Sequence, residues 1–200
     1  EQEYEVLGKG ISCNLGSFNG QRSLETPDFA RTVDTANRTL TLISEKEKIQ
    51  AVTTVRKGND ESHAIGLGAM NLAGTFVKHH MYYGDDESFD FTNVYFYTVL
   101  YNAMKTSANI AEEKSSTFVG FGDSKYANGE FFDKFINPSE GMIYTPQTDK
   151  VKKIFKNIHI PTPKDWENLK KKVMATGLYN QNFMAIPPTG SISYISEATP

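Results

Sequence analysis

The chain has 200 residues, 38% hydrophobic and 22% charged, with a net charge of −3; that is the size and balance of one domain, or a large part of one, with a buried core. This balance excludes the basic footprint of a nucleic-acid binder. No apolar run reaches the roughly 20 residues that span a bilayer, and a single cysteine excludes a disulfide scaffold and a cysteine zinc cluster.

Residues 8–19, GKGISCNLGSFN, are rich in Gly and Ser around a small apolar centre and predict a short buried strand running into a turn. ETPDF then opens a helix, with Thr26 as N-cap, Pro27 at the first helical position and Asp28 at the positive end of the dipole. Phe29, Val33, Ala36, Leu40 and Ile43 recur at steps of four and three, one apolar stripe on a helix of about five turns. SEKEKIQ is a polar exit. Residues 51–62, AVTTVRKGNDES, combine a short β-branched run with a turn at Gly58-Asn59-Asp60. HAIGLGAMNLAGTFVKHHMYY predicts a helix from about Leu67, with Gly66, Gly68 and Gly74 in the segment and His79-His80 at an exposed helix end.

Asp90 is the expected cap of FTNVYFYTVLYNAMKTSANIAEE, which is apolar on nearly every face and so predicts a deeply buried helix. GDSKYANGEFFDKFI predicts a further helix with Tyr126, Phe131 and Phe135 inward. Thr145-Pro146 repeats the cap-then-proline pattern and starts a helix through Ile154 and Phe155. Pro163 to Met174 forms another, anchored by Trp166, Leu169 and Val173, with Gly177 as C-cap. NFMAI, residues 182–186, reads as a short buried strand that leads into PPTGSISYI. Helices with a few short, buried, parallel strands make an α/β architecture, mostly helical, rather than a bundle. Residues 1–200 are read as a single partial domain: the chain opens on charged EQEYEV without an initiator Met and stops just after the last loop, as expected of a segment of a longer protein.

Three stretches invite chemistry. PPTGSIS offers the hydroxyls of Thr189, Ser191 and Ser193, and Gly190 allows close approach to the backbone. A helix starting near Ser191 would present free N–H groups to an anion; the plain alternative is an ordinary strand-to-helix turn. Cys13 in ISCNLGS is either a small core residue or half of a redox pair whose partner lies outside the chain. GLGAMN, residues 66–71, imitates a dinucleotide fingerprint but has Asn71 where the third glycine belongs, and glycines that let helices pack closely explain it better. The four histidines, His63, His79, His80 and His159, lack a metal-ligand spacing, so no metal site is expected. The acidic residues form no evident catalytic pair.

Taken in order, ISCNLGS (11–17), HAIGLGAMNLAG (63–74), DFTNVYFYT (90–98) and GLYNQNFMAIPPTGSISYI (177–195) closely resemble the large, catalytic subunit of ribonucleoside-diphosphate reductase, in its shorter class Ib form, along essentially the whole chain. The resemblance implies part of a ten-stranded α/β barrel built of two five-stranded parallel halves. It implies thiyl-radical chemistry: abstraction of the 3′ hydrogen of a ribonucleoside diphosphate, loss of the 2′ hydroxyl as water, and a cysteine pair that supplies the electrons and becomes a disulfide. Cys13 matches one member of that pair. Pro188, Thr189, Gly190, Ser191 and Ile192 match the loop that holds the substrate diphosphate.

The implied partners are a thioredoxin- or glutaredoxin-like reductant, a metal-containing small subunit that supplies the radical, and a second copy of the full large subunit, with no nucleic acid and no membrane. No cofactor is expected in this chain, and the location implied is cytoplasmic. The radical-bearing cysteine and the partner of Cys13 are expected upstream of Glu1, the relay tyrosines downstream of Pro200, and the allosteric sites elsewhere. Three rival readings are a split or inactive fragment that complements other chains, a helical binding module that retains only the phosphate loop, and a nicotinamide-dependent dehydrogenase through GLGAMN.

Overall fold

A computed structural model of the chain describes residues 12–47, 52–139 and 143–200. NLGSFN forms β1 (Asn14–Asn19) and IGLGAM forms β2 (Ile65–Met70), paired in parallel from Asn14↔Ile65 to Asn19↔Met70. Parallel partners require a crossover rather than a hairpin. Helices α1 (Gly20–Glu25), α2 (Phe29–Lys46) and α3 (Thr53–Ser62) lie on it. The chain returns along β2 at 182–185: Leu67 N donates to the Phe183 carbonyl at 3.0 Å, Ala185 N donates to the Leu67 carbonyl at 3.3 Å, and Met184 bridges Leu67 in the parallel sense. Between β2 and that return run α4 (Leu72–Lys78), α5 (Asp86–Lys114), α6 (Glu130–Ile136), α7 (Asp149–Ile154) and α8 (Pro163–Thr176), and α9 (Gly190–Ile195) follows it.

The α/β reading with short parallel strands is borne out. The described residues hold one two-stranded sheet plus the Met184 bridge, so ten strands are not seen among them. The strand expected over 182–186 shrinks to that bridge, with Phe183 buried and Ile186 fully exposed. The strand expected over 8–19 begins at Asn14; residues 8–11, like 48–51 of the polar exit and the run after it, lie outside the described residues. That first strand is also less buried than expected. Cys13 and Leu15 are exposed, because only one face of β1 is covered.

Several helix boundaries move for identifiable reasons. Thr26 does not cap α2; its hydroxyl donates to the Ser23 carbonyl at 2.8 Å and closes α1, while Asp28 accepts from Arg31 N at 2.9 Å as the N-cap. Phe29, Val33 and Leu40 are buried as expected, but Ile43 is exposed. Polar Asn37, Thr41 and Ser44 share the inner face instead, since Ser44 exchanges two 2.8 Å hydrogen bonds with Asn59. That buried pair also draws residues 53–62 into α3, where a β-branched run and a turn were expected. The segment from Leu67, expected to be helical, is the strand β2 up to Met70. Asn71, at φ 66°, breaks it and begins α4. His79 and His80 close α4, but only His80 is exposed.

Asp85, not Asp90, caps the 29-residue α5, accepting from Ser88 N at 2.7 Å. Asp90 sits one turn further in, and its carboxylate accepts from Gln147 N, Thr148 N and the Thr148 hydroxyl. This carboxylate places the start of α7 at Asp149, with Thr148 rather than Thr145 as N-cap. The helix expected over 122–136 is a 3-10 turn at Phe121–Asp123 followed by α6, because Gly120 and Gly129 both take left-handed φ. Phe132 and Phe135 are buried, and Tyr126 and Phe131 pack against them half-buried.

The α8 reading holds, with Trp166, Leu169 and Val173 buried and Gly177 as C-cap, and α5 carries the deep core as expected. Asn180, 1% exposed, aligns the chain for its return beside β2: its side chain donates to the Thr41 hydroxyl at 3.0 Å and the His63 carbonyl at 2.8 Å, and its N–H donates to Ser107 Oγ at 2.9 Å.

Candidate active site

Side chains alternate along a strand, and the two faces of β1 meet different surroundings. A Cβ built on Gly16 would lie 3.0 Å from Leu40 of α2, and the Phe18 ring stands edge-on to Tyr95 of α5 at 6.3 Å. That face is covered by the helices. Cys13, Leu15 and Ser17 take the other face, beside Gly66 and Gly68, with which Leu15 and Ser17 are in register. An open cavity of about 480 Å³ lies there, lined by Leu15, Ser17, Pro187, Pro188, Gly190, Ser191 and Ile192. The Ser17 hydroxyl is buried in its wall without a partner.

The two glycines of β2 let the 185–192 segment come this close. A Cβ on Gly66 would lie 2.7 Å from Ala185 Cβ, 2.6 Å from Leu15 Cδ2 and 3.1 Å from Cys13 Sγ. One on Gly68 would lie 2.4 Å from Pro187 Cδ and 2.8 Å from the Ala185 carbonyl oxygen. GLGAMN is therefore neither a dinucleotide cradle nor a helix-packing motif. Its glycines lie in a strand, under the loop.

The far end of the loop is tied by Asn71, the residue that stands where a dinucleotide fingerprint has its third glycine. Its side-chain oxygen accepts from Thr199 N at 3.1 Å and the Thr199 hydroxyl at 3.2 Å, its own N–H donates to the Thr199 carbonyl at 2.9 Å, and its Nδ2 donates to Asn19 at 3.1 Å. The ends of β1 and β2 and the segment after α9 thus share one side chain. An Asn between a strand and a helix, tolerant of left-handed backbone, was the available signal; Thr199 carried none.

Between these ties, α9 begins at Gly190 as expected. Its first N–H groups have no intrahelical acceptor, and Thr189 makes no side-chain cap bond. Thr189 is half-buried, and Pro188, Ser191 and Ile192 are exposed. A Cβ on Gly190 would meet nothing within 4 Å. The space above it is open to a ligand. Ser193, also expected as a hydroxyl donor, is 1% exposed and donates to the Gly190 carbonyl at 2.7 Å, so it serves the helix.

Cys13 is exposed as a residue, yet desolvation around its sulfur pushes the thiol above its ordinary value. Less of it is thiolate near neutral pH than of a free cysteine, and the thiolate is the nucleophile. Iodoacetamide alkylation followed by mass spectrometry should therefore be slower at Cys13 than in an unstructured cysteine peptide. Its pH profile should inflect above that of the peptide; coincident profiles would refute the shielding. Among the described residues no group of three or more His, Cys, Asp or Glu could hold a metal ion, and no helix is long and apolar enough to cross a membrane.

Residues 3–200 match the family model described as "Ribonucleotide reductase, barrel domain". The chain is 42% identical over 200 residues to the ribonucleoside-diphosphate reductase subunit alpha of Mycoplasma pneumoniae, covering 98% of this chain and 28% of that protein. It is 39% identical over 197 residues to the subunit alpha of Bacillus subtilis, again 28% of that protein, and 40% identical over 195 residues to the nrdEB subunit alpha of Bacillus phage SPbeta, 18% of that protein. The chain thus spans little more than a quarter of the length of the first two.

Proposed function

This chain belongs to the ribonucleotide reductase barrel-domain family, and from that premise we propose that it forms part of the catalytic barrel that reduces ribonucleoside diphosphates to deoxyribonucleoside diphosphates. In this reading β1, β2 and the 182–185 path belong to one five-stranded half of a ten-stranded barrel. The loop at Pro188, Thr189, Gly190, Ser191 and Ile192 binds the substrate diphosphate through hydroxyls and first-turn N–H groups. Cys13 is one thiol of the redox pair, its partner lying outside this chain.

After a thiyl radical has taken the 3′ hydrogen, the 2′ hydroxyl leaves as water. The two thiols supply two electrons and two protons and become a disulfide: one proton leaves with the 2′ hydroxyl in the water, and the other hydrogen ends on C2′. The hydrogen first taken returns to C3′ and restores the thiyl radical, and a thioredoxin- or glutaredoxin-like protein reduces the disulfide again. The initiating radical comes from a metal-containing small subunit, the full large subunit pairs as a homodimer, and the setting is cytoplasmic.

One observation carries this reading: Cys13 and the 188–192 loop stand on the same open face of one parallel sheet, with Gly66 between Cys13 Sγ and Ala185. A thiol that exchanges beside a substrate needs that proximity and a shielded sulfur. In a reductase assembled from the full large subunit and its small subunit, Cys13→Ser should abolish deoxynucleotide formation with the natural reductant, because the one thiol left cannot close a disulfide. Sustained turnover in that variant would remove Cys13 from the chemistry and favour a module that keeps only the phosphate loop. The 200-residue chain alone, given small subunit and reductant, should make no deoxynucleotide.

A further inference from the structure

α9 has little of its own to hold it in place. It is six residues long, too short for a helix to stand alone in water, and Ser193 is its one buried residue. Tyr194 and Ile195 are 85% and 86% exposed, so these large side chains do not pack it onto the described residues. Its position is set by its ends. At the front, Ala185 and Pro187 lie against Gly66 and Gly68. At the rear, Glu197 takes φ 49° two residues before Thr199, which Asn71 holds.

The rear tie is rigid. The Asn71 carbonyl accepts from Thr75 N at 2.9 Å and from the Thr75 hydroxyl at 2.7 Å, which fixes Asn71 on the first turn of α4. Asn19 Oδ1 accepts from Arg22 N at 3.2 Å as well as from Asn71 Nδ2, so the Asn71 amide is oriented with its nitrogen toward β1 and its oxygen toward Thr199. That amide lies where a side chain at position 74 would be: a Cβ on Gly74 would come 2.0 Å from Asn71 Oδ1 and 2.9 Å from its Cγ. Gly74 also donates its own N–H to the Thr199 hydroxyl at 3.3 Å.

From Thr199 a few hydrogen bonds reach the loop. Ala198 N donates to the Ser193 carbonyl at 3.0 Å, Ser193 N donates to the Thr189 carbonyl at 2.9 Å, and Ser193 Oγ donates to the Gly190 carbonyl. We propose that Asn71 is a positioning residue for the 188–192 loop: seated in the space that Gly74 leaves open, it latches the end of α9 to the ends of β1 and β2 and so holds the loop at the open cavity. This rests on the reading of that loop as the diphosphate site, and Asn71 acts through the loop, not on the ligand.

The test uses the reductase assembled from the full large subunit and its small subunit. Asn71→Gly keeps the left-handed backbone and loses the tie. Gly74→Ala keeps Asn71 but drives its side chain away, while alanine suits the α4 helix better than glycine. Each should raise the KM for a ribonucleoside diphosphate at least about fivefold and leave kcat within about twofold, the mark of lost binding rather than lost chemistry. Each should also speed amide hydrogen exchange over 188–199 and leave α6 and α8 unchanged. The double variant should be no worse than Asn71→Gly, because the side chain that the methyl displaces is already gone. Unchanged KM in both single variants would overturn the proposal. So would additive losses in the double variant, or exchange that rises throughout the protein, as it does when a residue only stabilises the fold. If the unmodified enzyme bound no diphosphate, the reading of the loop would fail; faster exchange confined to 188–199 in the variants would still uphold the latch, and its absence would overturn it.

Discussion

Gly68→Ala should loosen the 185–192 loop, lower nucleoside diphosphate affinity by at least about tenfold and cost about 1–3 kcal/mol of stability, the usual range for overpacking a filled site. The added methyl would meet Pro187 Cδ at 2.4 Å and the Ala185 carbonyl at 2.8 Å, a rigid ring and a backbone atom that cannot swing aside. Something must shift, and the loop rather than the strand has room, because it faces the open cavity. Gly190→Ala is the matched comparison. Its methyl would meet nothing within 4 Å, so stability should stay within about 0.5 kcal/mol, and any loss of diphosphate binding there reports ligand approach to the backbone. Denaturant unfolding and calorimetric titration with a ribonucleoside diphosphate read both variants. Gly68→Ala that binds and unfolds like the unmodified chain would show that the contact between β2 and the loop does not position the site.

Trp166→Ala should cost about 3–5 kcal/mol, a large share of the 5–15 kcal/mol that holds a domain together. Trp166 is fully buried and stacks on Phe135 with centroids 4.1 Å apart and planes 16° apart. Its Nε1 donates to Tyr97 OH at 2.7 Å, which donates in turn to the Pro161 carbonyl at 2.9 Å. The side chain thus joins α5, α6 and the start of α8. Trp166→Phe keeps a ring on Phe135 and loses the hydrogen bond and the larger surface, and should cost markedly less. Urea unfolding of the two variants separates the contributions; equal losses would place the effect in the hydrogen bond to Tyr97 and the part of the indole that Phe lacks, and none of it in a ring stacked on Phe135.

Where sequence signals are local, the structure follows them. α8 opens with Thr162, Pro163 and Asp165, and the Thr162 and Asp165 side chains each bond the other's backbone N–H within one turn. Nothing distant is needed to start that helix. α5 is legible for another reason: its apolar residues run all round it, and only a buried helix accommodates that. Thr26 and Thr145 misled because a cap-then-proline pattern looks the same whether its hydroxyl is free or engaged. In the fold Thr26 donates to Ser23, Thr145 accepts from the Gln147 side chain, and Asp90 sets the start of α7 from α5.

Family membership and the α/β class with parallel strands were legible in the residues alone. Each rests on side-chain types in a fixed order, which one chain carries without reference to its neighbours. That IGLGAM is a strand, that its glycines lie beneath Ala185 and Pro187, and that Asn71 ties Thr199 to Asn19 were decided only in three dimensions. A glycine records that something comes close but not what, and the atoms that come close to Gly66 and Gly68 belong to segments some 50 residues before them and some 120 after. Long-range packing outweighs local propensity there because a strand fits that space between β1 and the returning chain, and helical backbone does not.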